Sequence, residues 1–92
     1  MAEELMSKKP LRKGEQLEML HDSVLIQAPE EEKIYRVPMA IYVVWIICDG
    51  KTAVQDMCEK LSKESGVELE RVKEIVIYAL KELERVKLVE YV

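Results

Sequence analysis

The chain predicts an α+β domain in which a three-stranded antiparallel sheet is followed by three helices. Three observations carry this. Up to Val37 the apolar residues alternate or cluster in short branched runs, as in strands. From Pro38 onward they recur at the helical spacing. Turn-forming residues fall between the runs. The 92 residues are 49% hydrophobic and 35% charged, a globular composition long enough for one core.

Residues 1–9 are polar and without period. They read as a flexible tail, or as a frayed helical turn around Leu5 and Met6. The domain proper is expected over residues 10–92. Gln16-Leu17-Glu18-Met19-Leu20 alternates as a half-buried strand does, and His21-Asp22-Ser23 is a turn signal. Val24-Leu25-Ile26-Gln27 is a second strand, rich in branched residues. Ala28-Pro29-Glu30-Glu31-Glu32 cannot continue a ladder, because Pro29 has no N–H and the glutamates repel one another. Lys33-Ile34-Tyr35-Arg36-Val37 resumes the extended pattern, so short links make an antiparallel meander.

Pro38 opens the first long helix, at a position where the missing N–H costs nothing. That helix runs to about Cys48 and stops at Asp49-Gly50, Gly50 being suited to the left-handed closing residue. Thr52-Ala53-Val54-Gln55 matches a capping box for the next helix, which ends at Gly66. The last helix spans about Glu68 to Val86, with Leu69, Val72, Ile75, Val76, Ala79, Leu80, Leu83 and Val86 on one stripe. Lys87 to Val92 alternates weakly, as a short extended end would. The order β-β-β-α-α-α is winged helix-turn-helix-like, with the sheet as a displaced wing.

Charge narrows the function. Lys and Arg number 14 and Asp and Glu 18, a net charge of 14 − 18 = −4. No general attraction to nucleic acid or anionic lipid is expected. On the last helix Glu68, Glu70, Glu74, Glu82 and Glu84 outnumber Arg71, Lys73, Lys81 and Arg85, whereas a phosphate-tracking helix needs a basic face. The longest apolar run, Val37 to Cys48, is far short of the ~20 residues of a membrane crossing. The N-terminus has no apolar signal core, so a cytoplasmic protein is expected. Cys48 and Cys58 are expected as half-buried thiols, with a disulfide as the alternative. With His21 as the lone histidine, no metal site, no cofactor and no catalytic set is expected.

Three features remain that could bind. The first helix is apolar all round, with Ile41, Val44, Trp45 and Cys48 on one face. A core helix explains it, and so does a partner chain over one side. Ile77 and Tyr78 lie roughly 120–140° off the apolar stripe of the last helix. They read as surface residues, or as the floor of a groove flanked by Arg71, Lys81 and Arg85. The third strand is an edge whose outward N–H and C=O groups would accept an added peptide strand.

The sequence resembles the PqqD-like family, the peptide-recognition element of ribosomal-peptide maturation, from about Pro10 to Val89. Pro10-Leu11-Arg12-Lys13-Gly14 is similar to the family's entry to strand one, and Val24 through Glu30 to its second strand. Ala40 with Val44-Trp45-Ile46-Ile47-Cys48-Asp49-Gly50 resembles its Trp-x-x-x-Asp-Gly signature. Gly66-Val67 and Leu83 through Leu88-Val89 resemble its closing helix. The chain departs from the pattern at Arg36-Val37-Pro38-Met39, at Ala53 and at Lys87, which replaces a glycine.

The resemblance implies a non-catalytic adaptor. Such a protein binds the leader of a precursor peptide as an added strand and hands it to a maturation enzyme, often a radical S-adenosylmethionine enzyme. It places the peptide on Lys33, Ile34, Tyr35, Arg36 and Val37. Helical geometry adds Arg71, Glu74, Ile77, Tyr78, Lys81 and Arg85 as the facing wall. Expected partners are the leader and the enzyme, without nucleic acid or membrane, and with a homodimer compatible. The alternatives are a winged-helix DNA-binding regulator and a structural dimerisation module.

Overall fold

The computed structural model describes residues 2–30 and 32–92. Met1, and Glu31 of the expected loop between the second and third strands, lie outside the described residues. The elements are α1 (Ala2–Ser7), β1 (Pro10–Arg12), β2 (Glu15–Met19), β3 (Ser23–Gln27), β4 (Ile34–Pro38), α2 (Met39–Ile46), α3 (Val54–Ser65), α4 (Leu69–Arg85) and β5 (Val89–Tyr91). The α+β class holds: β2, β3 and β4 form the antiparallel meander, in that order, and the helices follow. Alternation along β3 and β4 sends Val24, Ile26 and Val37 into the core. There they meet Val44 and Trp45 of α2 and Val76, Ala79, Leu80 and Leu83 of α4.

A second, two-stranded sheet was not legible. β1 pairs with β5 antiparallel, Pro10 opposite Tyr91 and Arg12 opposite Val89. On its other side β1 meets the turn after α2: Gly50 N–H donates to Pro10 O and Arg12 N–H to Cys48 O. Of the two expectations for the first residues, the helical turn around Leu5 and Met6 corresponds to α1, and both side chains pack against the core.

Trp45 explains why the lone tryptophan sits in so apolar a helix. It is 3% exposed, and its Nε1–H is shared between Leu88 O at 3.0 Å and Lys13 O at 3.2 Å. One indole thus ties the β1–β2 link to the α4–β5 link, while its body fills the core. Gly14 beside it is obligatory: its φ is +99°, and a Cβ there would stand 2.6 Å from Gln27 O.

Helix ends depart from the sequence reading. Pro38 precedes α2 with φ −58° and ψ 150°, so it caps the helix and does not start it. α2 stops at Ile46 and not Cys48, because Cys48 O accepts from Arg12. The Thr52–Gln55 capping box does not form. Asp49 accepts from Lys51 N–H, Thr52 N–H and the Thr52 hydroxyl, which takes the hydroxyl away from the helix. Gln55 turns to Glu59 instead. These donors hold the Asp49 carboxyl below its ordinary value of 3.8, the Lys51 N–H first. A lowered folded-state value favours the charged form, so its stabilising effect is complete above about pH 4 and fades as pH falls through the lowered value. In acid titrations of stability, Asp49→Asn is expected to remove that part of the low-pH loss.

Gly66 closes α3 at φ +77° with its N–H on Ser62 O, as expected. α4 closes without a glycine. Leu88 N–H donates to Leu83 O and Lys87 N–H to Glu84 O, the paired bonds of a Schellman ending. Its left-handed residue is Lys87, at φ +61°. A side chain there is strained by about 1 kcal/mol. Lys87→Gly is therefore expected to raise the thermal midpoint by about 4–8 °C, read by calorimetry.

Cys48 and Cys58 are free and buried. Burial pushes the Cys48 thiol up to about 12, with Arg12 opposing and Asp49 adding, so it is a core residue and not a nucleophile.

Candidate functional site

Two borders of the β2-β3-β4 sheet have no neighbouring strand among the described residues, and they differ in kind. β2 carries Glu15 and Glu18, and its register slips between Gln16 and Glu18. A bulge bends and blunts an edge. β4 keeps regular register through Ser23–Pro38, Val24–Val37, Leu25–Arg36, Ile26–Tyr35 and Gln27–Ile34. Its charged residue is Arg36, with Lys33 just before it.

Hydrogen-bond parity tells which groups of β4 face outward. Ala28 N–H donates to Lys33 O at one end of the ladder, and Met39 N–H to Asp22 O at the other. Bonded pairs recur at every second residue of an antiparallel ladder. Tyr35 with Ile26 and Val37 with Val24 are therefore the bonded pairs. The N–H and C=O of Ile34 and Arg36 point to the open side, as does the C=O of Pro38.

Beside this border runs a cleft of about 100 Å³, lined by Tyr35 to Pro38, Ile41 of α2, Glu82, Leu83 and Arg85 of α4, and Val86 just after it. Ile41, Leu83 and Val86 give it an apolar floor. Its rims carry cations held by weak partners. Arg36 donates from Nε to Ser23 Oγ at 2.9 Å and faces Asp22 at 3.7 Å. Arg85 pairs with Glu82 at 2.9 Å. Glu82, with minor help from Tyr35 and Tyr78, raises the Arg85 value. Exposed pairs of this kind are worth about 0–1 kcal/mol each, so an incoming group can displace them. A larger concavity of about 520 Å³ lies between Arg12–Glu15 and Gln27–Pro29, away from the outward groups of β4.

The structure brings Tyr35, Arg36, Val37 and Arg85 together in the cleft, with Ile34 on the same border and exposed. Tyr78 is 61% exposed and within electrostatic reach of Arg85. Arg71 lies about 10 Å farther along α4 by helical rise, with Glu74 between it and Tyr78; both are exposed. Ile77 and Lys81 lie elsewhere. They line a cavity of about 260 Å³ with Leu5, Lys8, Glu84 and Tyr91. Lys8 sits over the Tyr91 ring at 5.1 Å. Ile77 is thus half-buried beside α1 and not an exposed neighbour of Tyr78. Conversely Ile75, expected on the buried stripe, is 43% exposed.

The cleft residues missed from sequence are Pro38, Ile41, Glu82, Leu83 and Val86. Leu83 and Val86 belong to the apolar stripe of the last helix and Ile41 to one face of the apolar first helix, and neither position by itself marks a cleft. The signal was available: the residues that follow an edge strand lie nearest its border. Among the described residues no group of three or more metal-ligating side chains forms, and no helix is long and apolar enough to cross a membrane.

These features describe a small α+β domain whose sheet keeps one regular, cationic border open beside an apolar cleft. The chain belongs to the PqqD family: the family model described as coenzyme PQQ synthesis protein D (PqqD) matches residues 23–89. That span runs from the first residue of β3 to the first of β5, and takes in the open border and the cleft. Neither a curated protein nor a solved structure matches the chain.

Proposed function

We propose that this protein is a non-catalytic adaptor that captures the leader of a ribosomally made precursor peptide as an added strand on β4 and presents it to a radical S-adenosylmethionine maturation enzyme. The PqqD family is, as a family, one of accessory proteins that bind a peptide and partner such an enzyme in coenzyme PQQ synthesis. The observation that carries the reading is the regular border of β4, whose Ile34 and Arg36 backbone groups face outward beside an apolar cleft. Backbone pairing supplies affinity, and the cleft supplies selectivity through alternate side chains. The contact set proposed is Lys33 to Val37 with Tyr78 and Arg85, and the cleft floor Ile41, Leu83 and Val86. Arg71 and Glu74 extend it along α4. Ile77 and Lys81 serve the α1 side.

Titration with a synthetic leader segment of a precursor peptide tests the reading. Amide shifts are expected to cluster in residues 33–38 and 78–86; shifts confined to residues 2–9 would refute it. Tyr78→Ala is expected to weaken binding about three- to tenfold. Its stability should change by less than about 0.5 kcal/mol, because the side chain is mostly in solvent. Unchanged affinity would remove Tyr78 from the site.

A second reading is favoured by α2, where Val43 is 41% and Ile46 39% exposed. Two copies paired across that face would cover both. Sedimentation at several concentrations decides, and a strict monomer disposes of it.

A further inference from the structure

We infer that β4 accepts its guest in one register. The guest backbone bonds to Ile34 and Arg36 and its run ends at Pro38. One aliphatic side chain enters the cleft beside Val37, and the adjoining residue on the Tyr35 side is a carboxylate facing Arg36. This inference rests on the adaptor reading and adds to it the sequence class of the segment bound.

The backbone argument comes first. Tyr35 and Val37 spend their N–H and C=O groups on Ile26 and Val24. A guest running in either direction finds its partners at Ile34 and Arg36. At Pro38 it finds a carbonyl and no donor, and a ladder with no donor stops there.

The side chains then follow from the pleat. Neighbouring strands share faces, and successive residues point to opposite ones. Val37 is buried on the core side, while Arg36 is exposed on the outer side. A guest residue beside Val37 therefore falls into the cleft, onto Ile41, Leu83 and Val86. The cleft holds about 100 Å³, whereas an apolar cavity of ~150 Å³ accommodates benzene. One branched aliphatic side chain fits. The guest residue beside Arg36 points to the other face. Cross-strand neighbours of opposite charge attract one another. Arg36 stands on a border that has no acid of its own, in a chain whose net charge is −4. Asp22, at 3.7 Å and with its side chain 73% exposed, is a partner that a cross-strand carboxylate displaces.

The order of the two guest residues sets the direction. Aliphatic then acidic corresponds to an antiparallel guest, and acidic then aliphatic to a parallel one.

Hydrogen exchange on the free protein tests the parity without any peptide. The amides of Tyr35 and Val37 are expected to be protected, and those of Ile34 and Arg36 to exchange far faster; the reverse pattern would overturn the register. The peptide test uses acetylated, amidated decapeptides of alternating Thr and Val with a central Leu-Asp, Asp-Leu, Leu-Lys or Lys-Leu. Either the Leu-Asp or the Asp-Leu peptide is expected to bind at least tenfold tighter than its lysine counterpart of the same order and to protect Ile34 and Arg36. With Arg36→Glu, the preference is expected to turn toward that lysine counterpart. Equal binding of all four along β4 would overturn the register and leave the adaptor reading in place. If the natural leader binds with the Ile34 and Arg36 amides unaltered, both fall.

Discussion

Replacing Arg36 with proline is expected to abolish capture of a guest strand while leaving the domain folded. The Arg36 N–H faces away from β3, so the substitution removes no bond of the β3–β4 ladder. Proline is tolerated on an edge strand where its missing donor would have faced solvent. The variant keeps the sheet but deletes a donor from the middle of the open border and sets a ring in the path of the guest. The guanidinium is lost as well. Backbone bonds contribute about 0.5–1.5 kcal/mol each and a charged partner somewhat more. Together with the steric block, the loss is expected to exceed about 100-fold in affinity. Tyr35→Pro is the control. Its N–H belongs to the bonded pair with Ile26, so this change should unfold the sheet. Calorimetry and leader titration separate the two variants. Full binding by a folded Arg36→Pro protein would show that no strand is added at β4.

The largest loss of stability is expected at Trp45. Large-to-small substitution of a buried aromatic costs about 3–5 kcal/mol. A domain of this size has about 5–14 kcal/mol in all. Trp45 adds a particular cost, because its Nε1–H bridges Lys13 O and Leu88 O across separate parts of the chain. Trp45→Ala is expected to lower the thermal midpoint by about 15–30 °C. Trp45→Phe fills most of the space but gives up the bridge, and is expected to cost about 1–2 kcal/mol. Leu88 O retains the Lys13 N–H as a donor, which keeps the Phe variant on the mild side. Denaturant melts of both variants provide the check: an undiminished Phe variant would mean that the indole N–H contributes nothing, and equal losses would mean that the ring's bulk does not.

Legibility in the sequence followed the length and regularity of each signal. The stripe from Val72 to Leu83 located α4 to within a residue at either end, because 17 residues repeat one period many times. β3 and β4 were legible from branched residues and from Pro29. β1 was not, and β5 was legible only as a weakly alternating extended end, since three residues carry no period. Thr52 illustrates a competing interaction. Its spacing to Gln55 was right for a capping box, but Asp49 offered the hydroxyl a nearer carboxylate. In the cleft, the strand half was read correctly as a border, because a meander must end somewhere. The helical half was less legible. Angular position alone puts Ile77 next to Tyr78, and only the packing of α1 and Tyr91 shows that Ile77 turns toward another neighbour. Ile75 and Ile77 exchanged their expected exposures for the same reason: periodicity fixes the faces of a helix but not which of them its neighbours cover.

The slipped register of β2 has a wider consequence. An acidic border and a cationic one at opposite sides of the same small sheet are natural mates between successive molecules. Such a union uses unlike surfaces and does not close on itself, so it would continue into fibres. The irregularity between Gln16 and Glu18 makes β2 a poor template for the β4 of another molecule, which works against such a run of copies.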